Sequence, residues 1–125
     1  MAQLIRVLIA DDSARAREGL RALFATWPEI MVVGEAADGQ QAVQMVGECQ
    51  PNVVLMDLHM PVLDGMQATQ QIKQQWPTVT VIALTMYATE QTAALAAGVD
   101  AFVIKGSSPE RLLSALGVSV ASSQP

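Results

Sequence analysis

Residues 53–61 read VVLMDLHMP, with four apolar side chains leading straight into Asp57, and Leu58, His59 and Met60 following before Pro61. A run of Val and Leu with no polar alternation fits a strand covered on both faces, the situation of a parallel sheet flanked by helices. An unpaired carboxylate inside such a run costs several kcal/mol or shifts its pKa. Asp57 therefore belongs at the end of a strand, where a polar site is assembled.

Four more runs of the same character lie on either side, at residues 5–10, 30–33, 79–84 and 101–104. The segments between them carry helical spacing. Ala16, Leu20, Leu23, Phe24 and Trp27 form one apolar stripe that Pro28 closes; Ala42, Val43, Val46 and Cys49 form a second ahead of Pro51. Ala68, Ile72 and Trp76 precede Pro77, and Ala93, Leu95 and Ala97 precede Gly98. The last helix begins at Ser107-Ser108-Pro109-Glu110, a hydroxyl cap with proline at the first helical position, and continues through Leu112, Leu113 and Leu116.

Strand and helix thus alternate five times, which predicts an α/β fold with a doubly wound sheet and helices on both faces. Sheets of this kind gather their functional groups beyond the carboxyl ends of the strands. Asp11 and Asp12 follow the first run, Asp57 the third, Thr85 the fourth and Lys105 the fifth. Three carboxylates brought together repel one another, and a divalent cation is the usual compensation. Oxygen donors with no thiolate or imidazole partner favour a hard ion, Mg²⁺ foremost. A carboxylate beside such an ion is placed to attack phosphorus, with a lysine and a hydroxyl to meet the transferred oxygens.

Composition agrees. The chain has 125 residues, enough for one domain that buries roughly two thirds of its unfolded surface without disulfides. Although 51% of the residues are hydrophobic, every apolar run stops well short of the ~18 residues of a membrane span. The opening MAQLIRVLIADD turns acidic too soon for a secretory signal, and Cys49, the single cysteine, allows no internal disulfide, in keeping with a cytoplasmic location. A net charge of -5 with seven Lys and Arg argues against direct nucleic-acid binding by this segment.

The ordered motifs LIADD, LMDLHMPVLDG, ALT and VIKG resemble the receiver domain of bacterial response regulators, and GEAADGQQAV, LTMYATE and KGSSPERLL resemble its NarL/FixJ (LuxR-type) subfamily. The resemblance implies a (βα)5 flavodoxin-like fold with strand order 2-1-3-4-5. It implies Asp57 as phosphoacceptor, Mg²⁺ (or Mn²⁺) held by Asp11, Asp12, Asp57 and the backbone carbonyl of His59, and Lys105 and Thr85 meeting the phosphoryl group. Thr85 and Phe102 correspond to the switch pair, and His59, Met86 and Tyr87 to positions that tune phosphoryl lifetime, Met86 narrowing access. The implied partners are a sensor histidine kinase and a second copy of the chain on phosphorylation. The output implied is a change at the face of the fourth helix, fifth strand and fifth helix that controls transcription through a DNA-binding domain outside this chain. A receiver domain over residues 1–118 followed by a tail or linker at 119–125 is expected, with no helix-turn-helix in the chain.

Plainer readings compete. Asp11 and Asp12 would serve equally as helix caps, Thr85 as a turn hydroxyl, Phe102 as core, and the seven methionines as core filling. Asp64 and Gly65 read as a turn, Lys73 as part of a solvated helix face among glutamines, and His59 as an exposed side chain at the mouth of the site. Lys105-Gly106 replaces the Lys-Pro of many receivers, so no cis bond is expected there. A stand-alone receiver working through protein contacts is an alternative output. An aspartyl-phosphate phosphatase would carry a second Asp two residues after Asp57, where His59 stands; a flavodoxin-like carrier would open on a Ser/Thr/Gly loop rather than DDSARAR; and no G-x-G-x-x-G follows the first strand.

Overall fold

The computed structural model describes residues 4–118. Its strands are β1 (Ile5–Ala10), β2 (Ile30–Ala36), β3 (Val53–Asp57), β4 (Thr80–Thr85) and β5 (Ala101–Ile104). The helices are α1 (Ala14–Phe24), α2 (Gly39–Cys49), α3 (Gly65–Gln75), α4 (Gln91–Ala97) and α5 (Pro109–Ala115), with a 3₁₀ turn at Ala88–Glu90. All strand pairs are parallel, in the order β2-β1-β3-β4-β5, as expected. The expected tail at 119–125 lies outside the described residues.

Alternation along each strand divides the core in two. Val7, Ile9, Leu55, Ile82, Leu84 and Val103 meet Phe24 of α1 and Leu112, Leu113 and Leu116 in and after α5. Leu8, Ala10, Val54, Met56, Val81 and Ala83 face the other way, onto Ala42 and Val46 of α2, Ala68 and Ile72 of α3, and Ala94 of α4. The small side chains at Ala10, Ala42, Ala68, Ala83 and Ala94 set three helices close to the sheet on that face. The central strand β3 is buried along its whole length, which is why residues 53–56 show no alternation.

Several boundaries differ from the sequence expectation. Helix α1 stops at Phe24, three residues before Trp27, because the Thr26 hydroxyl and the Thr26 and Trp27 amides close a turn onto Leu23 and Phe24, and the residue before Pro28 is disfavoured in helix. Trp76 likewise caps α3 outside helical geometry. Strand β2 runs three residues past Val33, through Gly34 and Glu35 to Ala36; as an edge strand it is half-buried, so apolar content understates it. Helix α5 starts on Pro109 as expected, but the Ser108 hydroxyl makes no capping bond.

On α4 the expected stripe Ala93, Leu95, Ala97 is replaced: Ala94 is buried and Leu95 is 48% exposed. Positions two apart lie on opposite sides of a helix, and a segment dominated by alanine gives no polar face from which to read the phase. Asp64 is not a simple turn residue but the N-cap of α3, where it forms a reciprocal capping box with Gln67. Lys73 is not on a solvated face: its ammonium donates to the Pro77 and Val79 carbonyls and to Asp100, which in turn accepts from the Val81 amide, so it ties α3 to the start of β4 and to β5.

Gly65, at the first position of α3, is packed against the chain that carries Asp57. A Cβ there would overlap the Asp57 carbonyl and stand 2.7 Å from Leu58 Cα. Backbone has little room to yield, so Gly65→Ala is expected to destabilise the fold by at least ~2 kcal/mol, seen as a lower urea midpoint at unchanged slope.

Candidate functional site

Strand register sets the site. Ala10 is level with Met56, Asp57 with Leu84, and Thr85 with Ile104, so the residues that follow β1, β3, β4 and β5 emerge on one edge. Backbone bonds from the Asp11 amide to Ala36, from Leu58 to Leu84 and from Lys105 to Thr85 carry the ladder one residue further and fix where each loop departs.

Asp11 and Asp57 are almost wholly buried, while Asp12 is exposed. One carboxylate oxygen from each of the three lies within 4.8 Å of the others. Helix α1 is capped by Ser13, whose hydroxyl accepts the Ala16 amide, so neither aspartate is used as its cap. Asp11 Oδ1 instead accepts the Ser13 amide at 2.9 Å, and Asp57 Oδ1 accepts the His59 amide at 3.0 Å. Each buried carboxylate is thereby held in a two-residue turn, its other oxygen aimed into the cluster. Asp12 accepts no hydrogen bond from the described residues.

Lys105 reaches across from β5. Its Nζ lies 2.9 Å from Asp11 Oδ2 and 3.3 Å from Asp57 Oδ2, so one ammonium serves two carboxylates. Burial pushes the lysine pKa down, but the hydrogen bond and charge of Asp11 and the charge of Asp57 outweigh this and hold it above its ordinary value. For Asp57 burial is the main influence, raising its pKa; the His59 amide and Lys105 oppose, the Asp11 charge reinforces, and the balance is a raised value. The single ammonium shared by two carboxylates thus stays charged, while burial leaves the Asp57 carboxylate only partly compensated by it. A donor set of carboxylate oxygens alone, with net negative charge left over, fits a hard divalent cation.

Thr85, almost fully buried at the end of β4, donates its hydroxyl proton to Glu90 Oε1 at 2.5 Å and accepts the Tyr87 amide at 3.2 Å. His59 Nε2 lies 2.8 and 2.9 Å from the two Glu90 oxygens, and its ring meets Tyr87 edge to face at 5.3 Å. His59 is exposed at the mouth of the site, as expected, alongside Met86 and Tyr87, which are 66% and 57% exposed. Burial raises the Glu90 pKa, yet the bonds from Thr85 and His59 and the His59 charge prevail and hold it below the ordinary carboxylate range. Phe102 is partly buried against the α2–α4 side of the core.

Sequence reasoning assembled Asp11, Asp12, Asp57, Thr85 and Lys105 correctly on one edge. It missed two participants. Glu90, inside LTMYATE, carries the Thr85 hydrogen bond. Arg17, on α1, donates to the Asp11 carbonyl at 2.6 Å and pairs with Glu35 at 3.0 Å, fixing the loop that bears the two aspartates. A charge spaced three or four residues into a helix from an acidic loop was the only available signal for Arg17.

Comparison with known proteins places this geometry. A family model described as the response regulator receiver domain matches residues 7–117. An uncharacterized transcriptional regulatory protein of Bacillus subtilis, YhcZ, is 44% identical over 111 residues, spanning 87% of this chain and 52% of the relative. The response regulator protein VraR of Staphylococcus aureus is 38% identical over 114 residues, spanning 90% of this chain and 54% of its own. This chain therefore covers about half the length of these relatives. Among solved structures, a two-component response regulator of the LuxR family from Aurantimonas sp. SI85-9A1 superposes with a TM-score of 0.87 at 33% identity, over 92% of this chain and 84% of that one.

Proposed function

The chain belongs to the receiver domains of two-component response regulators, and from that membership we propose that Asp57 is its phosphoacceptor, taking a phosphoryl group from the phosphohistidine of a sensor histidine kinase. The observation that carries this reading is the cluster itself: three aspartates with carboxylate oxygens within 4.8 Å and one lysine bonded to two of them, at the end of β3.

In the proposed step, Asp57 Oδ2 forms a bond to phosphorus as the phosphorus–nitrogen bond of the donor breaks, and the electron pair leaves with the imidazole nitrogen. Oδ1 is held by the His59 amide, which fixes the carboxylate plane and leaves Oδ2 to react. Lys105, already 3.3 Å from Oδ2, stays charged and meets the phosphoryl oxygens as they arrive. Asp11, Asp12, Asp57 and the His59 carbonyl would hold Mg²⁺, with Mn²⁺ as substitute; when bound, the cation offsets negative charge on the carboxylates and the phosphoryl group.

Thr85 and Phe102 then form the proposed switch: Thr85 moves to the phosphoryl group and Phe102 follows inward, reshaping the face of α4, β5 and α5. His59, Met86 and Tyr87, at the mouth, set how easily water reaches the acyl phosphate. The receiver unit extends over residues 1–118 and works in the cytoplasm. It pairs with a second copy on phosphorylation and acts through a DNA-binding domain beyond this chain. The names of the relatives, transcriptional and response regulators about twice as long, support that output. No helix among the described residues is long and apolar enough to cross a membrane.

The test is intact mass after incubation with acetyl phosphate. One added phosphoryl group is expected, and only when Mg²⁺ is present. A parent protein that gains no mass and binds no beryllofluoride would overturn the reading.

A further inference from the structure

A hydroxyl has one proton to donate. In this structure the Thr85 proton is already committed to Glu90 Oε1, and a lone pair of the same oxygen accepts the Tyr87 amide. Glu90 is in turn anchored from the opposite loop by His59 Nε2, two residues past Asp57. The two loops flanking the acidic cluster are thus joined through one carboxylate, which also lines the groove shared by Asp12, Asp57 and Lys105.

We propose that Glu90 is a positioning residue for Thr85: it holds the hydroxyl in the resting orientation, and a phosphoryl oxygen on Asp57 recruits that hydroxyl only when the Thr85–Glu90 bond breaks. The inference deepens the phosphoacceptor reading of Asp57 and rests on it. Thr85 donates to Glu90 or to a phosphoryl oxygen, never both, so each bond competes with the other. Glu90 ends the 3₁₀ turn and immediately precedes α4, and its side chain gives α4 no capping bond because it is spent on Thr85 and His59. Losing Thr85 leaves the Glu90 carboxylate with His59 as its one remaining side-chain partner among the described residues, with the Tyr87 ring resting on that same histidine. Helix α4 buries a single residue, Ala94, and is lightly held. Release of the Thr85 bond is therefore transmitted to the exposed Met86 and Tyr87 and to the start of α4 rather than absorbed locally.

The test uses beryllofluoride, a phosphoryl analogue, titrated calorimetrically with Mg²⁺ into the parent, Glu90→Ala, Glu90→Gln, Thr85→Ala and the Thr85→Ala, Glu90→Ala double variant. Glu90→Ala is expected to bind about tenfold more tightly than the parent, the scale of a charge-assisted hydrogen bond lost from the resting state alone. Glu90→Gln keeps an acceptor oxygen and is expected to recover most of the parent's weaker binding. In the Thr85→Ala background the Glu90→Ala gain is expected to vanish. A gain that persists without Thr85, or that is as large in Glu90→Gln, means that Glu90 acts by charge repulsion alone and overturns the proposal, as does unchanged or weaker binding by Glu90→Ala. A parent that binds no beryllofluoride, or an Asp57→Asn that binds it equally well, fails the phosphoacceptor reading itself, and the positioning role falls with it.

Discussion

Asp57→Asn is expected to take up no phosphoryl group from acetyl phosphate with or without Mg²⁺, and at the same time to be more stable than the parent in metal-free buffer. The first half follows from chemistry, because an amide oxygen in place of a carboxylate is a far weaker nucleophile and no other described carboxylate shares both the Lys105 contact and the place at the end of β3. The second half follows from electrostatics. Burial and the Asp11 charge hold the folded pKa of Asp57 above its ordinary value of 3.8. An acid with a raised folded pKa favours the fold most below the unfolded value, where both states are neutral, and that advantage is lost as pH rises through the folded value. Asparagine never ionises. Its stabilisation should be near zero at pH 3.5 and grow to the order of 1 kcal/mol at pH 7, read from urea unfolding in EDTA at the two pH values. A variant that loses phosphorylation and also loses stability at pH 7 would show that Asp57 is anchored chiefly as an ion-pair partner of Lys105.

That opposition between function and stability explains how much of the molecule was legible beforehand. Binary pattern is written by burial, so the strands were visible wherever both faces are covered: residues 53–56 stood out because nothing polar interrupts them, and residues 7–10 stood out for the same reason once Arg6 is passed. The acidic cluster was visible for the complementary reason, a charge where burial forbids one. Edge strand β2 and helix α4 were read least well. Gly34 and Glu35 sit in a strand that solvent reaches, and in α4 alanine faces both core and water, so neither the extent of the one nor the phase of the other leaves a periodic trace.

What could not be read at all were pairings between distant side chains. Lys73 looks solvated among Gln70, Gln71, Gln74 and Gln75, yet its four-carbon stem carries the ammonium back to two carbonyls and Asp100. Glu90 is one acid in an ordinary loop until the 3₁₀ turn brings it beneath Thr85. Asp64 is a different kind of miss, because Asp64 and Gln67 stand at the three-residue spacing of a capping box that the sequence itself displays. Sequence gives the register of a strand end and the identity of its next residue; which of several nearby polar groups it bonds is settled by loop geometry.

Removing the one cation in the cluster should have the next largest effect. Lys105→Ala is expected to slow phosphoryl uptake from acetyl phosphate by about a hundredfold, the usual scale for deleting a charge that meets developing phosphoryl oxygens. It should also lower stability in EDTA by roughly 1–3 kcal/mol, less than the loss for a fully buried pair because the lysine side chain is 27% exposed. The two losses should respond differently to Mg²⁺. In the parent, Lys105 already compensates two of the carboxylates proposed to hold the cation, so added metal is expected to compete with the ion pair between Lys105 and Asp11. In Lys105→Ala nothing competes, and three carboxylates within 4.8 Å are left with no ammonium. Saturating Mg²⁺ is therefore expected to raise the melting temperature of the variant more than that of the parent and to bind it more tightly, while leaving the rate defect in place. Equal metal affinity in the two proteins would mean that the ammonium and the cation occupy separate parts of the cluster. A rate restored by Mg²⁺ would instead assign the whole of Lys105's contribution to charge balance in the resting site, with none left for the phosphoryl group itself.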